Sequence, residues 1–308
     1  MRRLDIGISS YRNPEKLKRC LESVAAMSTT DWRCLIVHNS SGDVEGGDAY
    51  RVAENMQADD RRFIFDPAGA NLGYAASVNR IAQWAETPYF AYLDNDIEIL
   101  TPGWDERLCA VMDLDPRIRQ VFPGEGHYGF RNGKYHECLW GVGCAWVIRA
   151  EAALKLTADN RKSCPLDFMD TSLGHHEEVD LMVRLRLAGY RLACDPGVNI
   201  LHHQTATSSP ESAKRIHMGV VRFMNKWERY FVGDSVKHPN PDPDSGEGYD
   251  PAFLRYTDWP PCALYLERWV LSQFSDLNAN PETVQTTAGP MDVIKILKPT
   301  NCYRGRAI

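Results

Sequence analysis

Residues 89–96 read Tyr89-Phe90-Ala91-Tyr92-Leu93-Asp94-Asn95-Asp96, an apolar run that ends in two carboxylates with one residue between them. A run of that length and composition predicts a buried strand, with the carboxylates where it emerges from the core. Side chains alternate along a strand, so Asp94 and Asp96 point the same way if the extended conformation persists through Asn95. Two carboxylates on one side repel unless something positive lies between them. A hard divalent cation such as Mg²⁺, which takes one or two carboxylates together with substrate phosphate oxygens, would resolve the repulsion. A solvated turn after a strand, where Asp and Asn are favoured, is the plainer alternative.

The chain on either side of this stretch alternates strand and helix. Leu4 to Ser9 reads as a first strand, and Pro14 opens a helix with Leu17, Cys20, Leu21 and Val24 at helical spacing. Trp32 to His38 is a second strand, closed by the polar turn Asn39 to Asp43; Tyr50 to Met56 suits a helix and Arg62 to Phe65 a third strand. Asn71-Leu72-Gly73-Tyr74 opens the helix that precedes the strand ending at Asp94. This order predicts a mostly parallel sheet covered by helices. Ligands of such sheets bind at the carboxyl ends of the strands, where all these polar turns lie.

Beyond Asp96 the alternation loosens. Thr101-Pro102 starts a helix through Leu108 and Met112, Pro123 to Gly141 suggests hairpins or a loop, Val142 to Arg149 a strand, and Glu151 to Leu156 a short helix. Helical spacing returns at Val179, Met182, Val183 and Leu187, followed by strands at Arg191 to Asp195 and Val198 to His202. Pro210 to Phe231 reads as a long amphipathic helix, Lys237 to Asp250 as a proline- and glycine-rich linker, and Ala263 to Phe274 as one further helix.

The 308 residues, 44% hydrophobic and 25% charged, are those of an ordinary globular protein with one large domain or two small ones. A net charge of −6 argues against a dedicated nucleic-acid binder. The nine cysteines form no Cys-x-x-Cys pair and several fall in apolar stretches, which suits a reducing, cytoplasmic compartment. Asp5 interrupts any signal-peptide core, and no window approaches 18 uninterrupted apolar residues, so neither a leader nor a membrane span is expected.

Four polar stretches carry the chemistry. They are Ile8-Ser9-Ser10-Tyr11-Arg12-Asn13-Pro14; Ile36-Val37-His38-Asn39-Ser40-Ser41; Asn71 to Asn79 with Tyr92 to Asp96; and His176-Glu177-Glu178-Val179-Asp180 to Leu185, followed by Pro196 to His203. In this order and spacing the set resembles the family 2 glycosyltransferases of GT-A fold, above all their rhamnosyltransferase-like branch. The resemblance runs over roughly residues 4–205. It implies a Rossmann-like α/β catalytic domain over 1–205, binding nucleotide sugar and acceptor. Residues 206–308 would form a mainly helical or irregular extension related to the acceptor.

The resemblance also implies roles. Asp94 would lie near the ribose, with Asn95 beside it, and Asp96 would ligate Mn²⁺ or Mg²⁺ that bridges the diphosphate and neutralises the leaving nucleotide. His202, a few residues after Pro196, would be the third ligand, with His203 as the close alternative; a satisfied core or surface histidine is the competing reading. The family usually places its base at the Asp of a Glu-Asp pair. Here the pair is Glu177-Glu178, so Glu178 takes that position, with Glu177 and Asp180 as rivals. Helix-end capping, and an Asp180–Arg184 pair on one helical face, explain the same carboxylates without catalysis. Ser9 and Tyr11 resemble residues that meet base and ribose, and Asn39 stands near the position of an Asp that reads the pyrimidine edge. Gly73 and Asn79 would shape the diphosphate side, and Trp140 and Gly141 the acceptor side, where Trp140 could stack on a sugar; tight strand packing accounts equally for the small residues there.

Together these imply a metal-dependent inverting glycosyltransferase using a UDP-, dTDP- or GDP-sugar. The acceptor would be a glycan or lipid-linked sugar, a protein or nucleic acid being further options. The enzyme would work in the cytoplasm or at the membrane periphery. A nucleotidyltransferase needs a glycine-rich basic first loop, which Ser9 to Asn13 lacks. An inactive scaffold of the same fold would have no need of Asp94, Asp96, Glu178 and His202 together.

Overall fold

The computed structural model describes residues 2–124, 130–131, 135–138, 141–151, 168–187, 190–203, 218–219, 222–223, 226, 283–286 and 289–293. The first half alternates as expected: β1 (Leu4–Ser10), α1 (Pro14–Met27), β2 (Trp32–His38), α2 (Val44–Asp59), β3 (Phe63–Pro67), α3 (Gly73–Trp84) and β4 (Tyr89–Asp94). Helix α2 begins six residues earlier than its apolar spacing suggests, because the Asp43 carboxylate accepts from Gly46 N at 2.8 Å and caps the first turn.

After β4 come β5 (Ile97–Ile99), α4 (Trp104–Leu114), β6 (Ile118–Pro123), β7 (Phe130–Arg131), β8 (His136–Cys138) and β9 (Ala145–Arg149). Then follow α5 (Glu177–Leu187), β10 (Arg191–Asp195), β11 (Ile200–His202), β12 (Thr283–Thr286) and β13 (Gly289–Val293). Strands β5 and β6 had no clear signature. β5 is only three residues long, and β6 carries Arg119 and Gln120 inside it.

Among the described residues the main sheet runs β12-β13-β7-β8-β10-β6-β9-β4-β1-β2-β3. Strands β3, β2, β1 and β4 pair in parallel, and so do β6 and β10; β9 runs against both β4 and β6. β1, β2, β3, β4, β6 and β10 therefore all point one way. β5 and β11 form a separate two-stranded antiparallel ribbon.

Alternation along the strands divides the core in two. Leu4, Ile6, Ile8, Ala91 and Leu93 pack with Leu17, Leu21 and Val24 of α1 and Trp104 and Leu108 of α4. Phe90, Tyr92 and Trp146 pack on the other face with Val78 and Ile81 of α3 and Leu181 and Met182 of α5. Gly7 is what lets α3 lie close, since a Cβ there would sit 2.1 Å from Ile81 Cγ2.

The described residues past 203 join this unit. Met218 and Phe223 are buried, and Lys226 pairs with Asp170 at 2.6 Å and with Asp180 of α5 at 2.7 Å. β13 continues the main sheet beside β7. The boundary expected at 205 thus separates residues that touch. The helices expected over Glu151–Leu156 and Ala263–Phe274, the linker at 237–250, and most of the helix over Pro210–Phe231 lie outside the described residues.

Candidate active site

The carboxyl ends of β1, β2 and β4 lie side by side, with Ser9 opposite Asp94 and Ser10 opposite His38. Strand β4 stops at Asp94, and Asn95-Asp96 form a turn. The extended conformation therefore does not persist to Asp96, contrary to the simplest reading of the stretch. Asn95 Nδ2 shapes the turn by donating to the carbonyls of Tyr11 and Arg12, each at 3.3 Å. The turn feeds β5, and β11 pairs with β5 so that His202 lies opposite Ile97. The result is a cluster in which ligand atoms of Asp94, Asp96 and His202 all lie within 4.8 Å of one another.

Two carboxylates and an imidazole at that separation suit a hard or borderline divalent ion, Mn²⁺ or Mg²⁺, with positions left for phosphate oxygens. His202 Nε2 lies 3.2 Å from Asp96 Oδ1. His203, the alternative ligand, instead pairs with Glu98 at 2.7 Å, and its backbone N–H donates to the Asp96 carbonyl at 2.9 Å.

The electrostatics divide the two aspartates. Burial pushes the Asp94 carboxyl up to about 7; the charges of Asp96 and Glu178 add to this, opposed by the Tyr92 hydroxyl, 2.6 Å away, and by His202. Burial also acts on Asp96, but the His202 hydrogen bond and charge, with Lys16, hold it below the usual carboxylate range. His202 is raised in turn, Asp96 outweighing its desolvation. A site that resists carrying both negative charges alone is one that a dication completes.

Glu178 lies in the first turn of α5, against Gly143: a Cβ on Gly143 would come within 2.7 Å of Glu178 Cγ. Burial raises the Glu178 carboxyl. Tyr74, itself raised by burial and by the charges of Glu178 and Asp94, donates to the Gly143 carbonyl at 3.3 Å. Tyr92 and Tyr74 thus support the carboxylates and were not picked out from the sequence, whereas Gly143, one of the small residues expected on the acceptor side, packs against Glu178. The period of two would have put Tyr92 on the face of Asp94.

The rival bases have other partners. Asp180 is fully buried and bonds Arg184 at 2.8 Å as well as Lys226, which holds α5 to its neighbours. Glu177 is buried at the start of the same helix. His176 precedes it with φ 65, its ring pushed down to about 3 by burial and by His175.

Several expected donor-side residues turn out to be joints. Asn39 is 2% exposed; its amide donates to Ser9 Oγ at 3.1 Å and Ser77 Oγ at 3.0 Å, and its carbonyl accepts from Leu72 N at 2.8 Å. It ties the ends of β1 and β2 to the entry of α3 and presents no free edge to a base. Asn79 clamps Met169 through both backbone groups, at 2.9 and 2.6 Å. Gly73 takes φ +76 with open space where a Cβ would stand, so its backbone angle and not crowding calls for glycine. Tyr11 carries the Arg12 guanidinium 5.2 Å from its ring centre, and Arg12 pairs with Asp43 at 2.5 Å. Gly141 is buried against Phe122, whose ring would meet a Cβ at 2.0 Å, so close packing and not open room explains it. Trp140 lies outside the described residues.

Residues 5–151, which hold both aspartates, match the family model for glycosyl transferase family 2. Two solved structures align over most of the chain. One is a mannosyltransferase from Pyrobaculum calidifontis, in complex with GDP-Man and Mn²⁺: TM-score 0.57, 14% identity, covering 91% of this chain and 77% of that one. The other is GalNAc-T7 with UDP, GalNAc and Mn²⁺: TM-score 0.61, 14% identity, covering 87% of this chain and 56% of that one. The fold is that of the GT-A glycosyltransferases.

Among curated proteins this chain is 31% identical over 99 residues to a teichoic acid poly(glycerol phosphate) polymerase of Staphylococcus epidermidis, covering 32% of the chain and 13% of the polymerase. It is 21% identical over 259 residues to the uncharacterised protein y4gI of Sinorhizobium fredii, covering 73% of the chain and 27% of that protein. The chain thus spans well under a third of each curated relative's length. No helix among the described residues is long and apolar enough to cross a membrane.

Proposed function

We propose that the protein is a glycosyltransferase that moves a sugar from a nucleotide-sugar donor to an acceptor hydroxyl, with inversion. The observation that carries the reading is the convergence of Asp94, Asp96 and His202 near Glu178, in the first turn of α5. In this reading Mn²⁺ or Mg²⁺, held by those three side chains, would supply Lewis-acid neutralisation of the departing diphosphate. The family 2 match over the segment that carries both aspartates supports it.

The chain's own residues supply the rest. Glu178, raised by burial, takes the proton of the acceptor hydroxyl as its oxygen bonds to the anomeric carbon. The bond from that carbon to the diphosphate oxygen breaks in the same step, and its electron pair leaves with the nucleotide. Such a displacement needs one base and no protein nucleophile. In this reading Ser9, near the carboxyl end of β1, and Tyr11, just beyond it, would meet the base and ribose. Within the family we place the chain in the rhamnosyltransferase-like branch, on the order of its motifs. A glycan or related polymer hydroxyl fits the acceptor, in line with the name of the staphylococcal relative. The cytoplasm or its membrane face, where nucleotide sugars would be met, suits the site of action.

Thermal-shift screening against UDP-, dTDP- and GDP-sugars, with and without Mn²⁺, tests the donor site. One donor raises the melting temperature only when Mn²⁺ is present. The gain corresponds to about 2.7 kcal/mol at a hundredfold excess over Kd. Asp96→Ala removes the shift. A protein indifferent to every donor would lose this reading.

A further inference from the structure

The third side chain of the cluster sits on the least supported element near it. β11 has three residues, belongs to the ribbon and not to the main sheet, and shows Leu201 39% exposed. Its partner β5 is anchored through the fully buried Ile97 and the nearly buried Ile99, and through Ile99 N donating to Ser23 Oγ at 3.0 Å. β11 itself is held less deeply: Ile200 packs only partly buried against the same core, and no β11 side chain is fully buried.

What fixes β11 at its far end gathers on the next residue, His203. The His203 ring pairs with Glu98 of β5, its N–H donates to the Asp96 carbonyl, and its carbonyl accepts from Lys16 Nζ of α1. The near end is tied by Leu100 N donating to the Asn199 carbonyl at 3.0 Å and Asn199 N to Thr101 Oγ1 at 2.8 Å. The three groups at His203 come from α1, the β4–β5 turn and β5.

We infer that Lys16, Glu98 and His203 form a latch that holds the His202 imidazole in ligating position, as positioning residues for the metal centre. The inference rests on the metal-dependent reading above. Polar groups outside a metal's own ligands commonly set affinity by fixing ligand orientation, and their loss costs about 10–100-fold in binding. His203, adjacent to the ligand and turned to Glu98, thereby has a use other than the ligand role its sequence position suggests.

The test is titration of the full chain with Mn²⁺ alone, followed by electron paramagnetic resonance, with the ¹⁴N coupling of bound Mn²⁺ recorded by pulsed methods. Wild type binds Mn²⁺ with a nitrogen coupling, and His202→Ala loses the coupling. Glu98→Gln, Lys16→Met and His203→Phe each weaken binding by about tenfold or more and reduce the coupling. Glu98→Asp and Lys16→Arg recover part of both. Unchanged melting of the metal-free Glu98→Gln protein separates positioning from a loss of fold. If wild type and His202→Ala bind Mn²⁺ alike without nitrogen coupling, the metal reading itself fails. If His202→Ala behaves as stated while all three latch variants keep full affinity and coupling, the latch is overturned and the metal site stands.

Discussion

Asp94 shows what the site costs the protein before any ligand arrives. Its carboxyl is held up to about 7 in the fold, against an ordinary value near 4 in the unfolded chain. Between those values the native state binds the extra proton, so stability falls as pH rises through that window. Metal-free wild type should melt at a lower temperature at pH 8 than at pH 5. Asp94→Asn should flatten that dependence and be the more stable protein at pH 8, while losing its response to Mn²⁺. Differential scanning fluorimetry across pH, with and without the ion, checks both. The residue pattern made Asp94 and Asp96 visible in the sequence. The division between them was not visible, because burial and the approach of His202 depend on pairing between β5 and β11, two short strands far apart in the chain. Asn39 and Asn79 were legible as polar residues at a strand end and in a helix. Their hydrogen-bond partners lie on other elements, so their roles as joints were not.

At the scale of the element, the contact of α3 with β1 is the one that fixes the donor-side edge. Gly7 leaves room for Ile81, and through α3 the Asn39–Ser77–Leu72 bonds hold the strand ends in register. Gly7→Ala should cost about 1–3 kcal/mol, since the added methyl meets a buried branched side chain that has little freedom to move. Urea unfolding would read the loss as a lower midpoint with unchanged slope. The alternation of strands and helices up to β4 was readable because each element there is long and periodic. β5 and β6 escaped for opposite reasons: the first is too short to show a period, and the second interrupts its apolar pattern with Arg119 and Gln120, which pair with neighbours or stay buried once the strand is central.

For the molecule as a whole, Lys226 joins what the sequence suggested were two domains. It bridges Asp170 and the fully buried Asp180, while Arg184 holds Asp180 and the Phe168 carbonyl. Lys226→Met in the full chain removes one of two cations on Asp180 while Arg184 remains, so the loss should be that of a charge-assisted hydrogen bond, about 1.5–3 kcal/mol. Chemical denaturation should find a loss of that order, and a change within about 0.5 kcal/mol, the range of ordinary surface substitutions, would mean that the residue is not integrated in the core. The sequence places the boundary near 205 because the motif set ends there; Lys226 adds a packing contact across it that no motif could announce.

The chain order of these parts has a consequence for biosynthesis. The strands and helices up to β4 are contiguous and can pair as soon as they leave the ribosome, since domains generally form from the N-terminus during synthesis. The histidine that completes the cluster, and the lysine that steadies the helix of Glu178, are translated much later. On the proposed roles, a nascent chain would therefore hold both aspartates in a partly formed sheet, without His202 or the support of the helix that carries Glu178, and would be chemically silent until translation had passed Lys226.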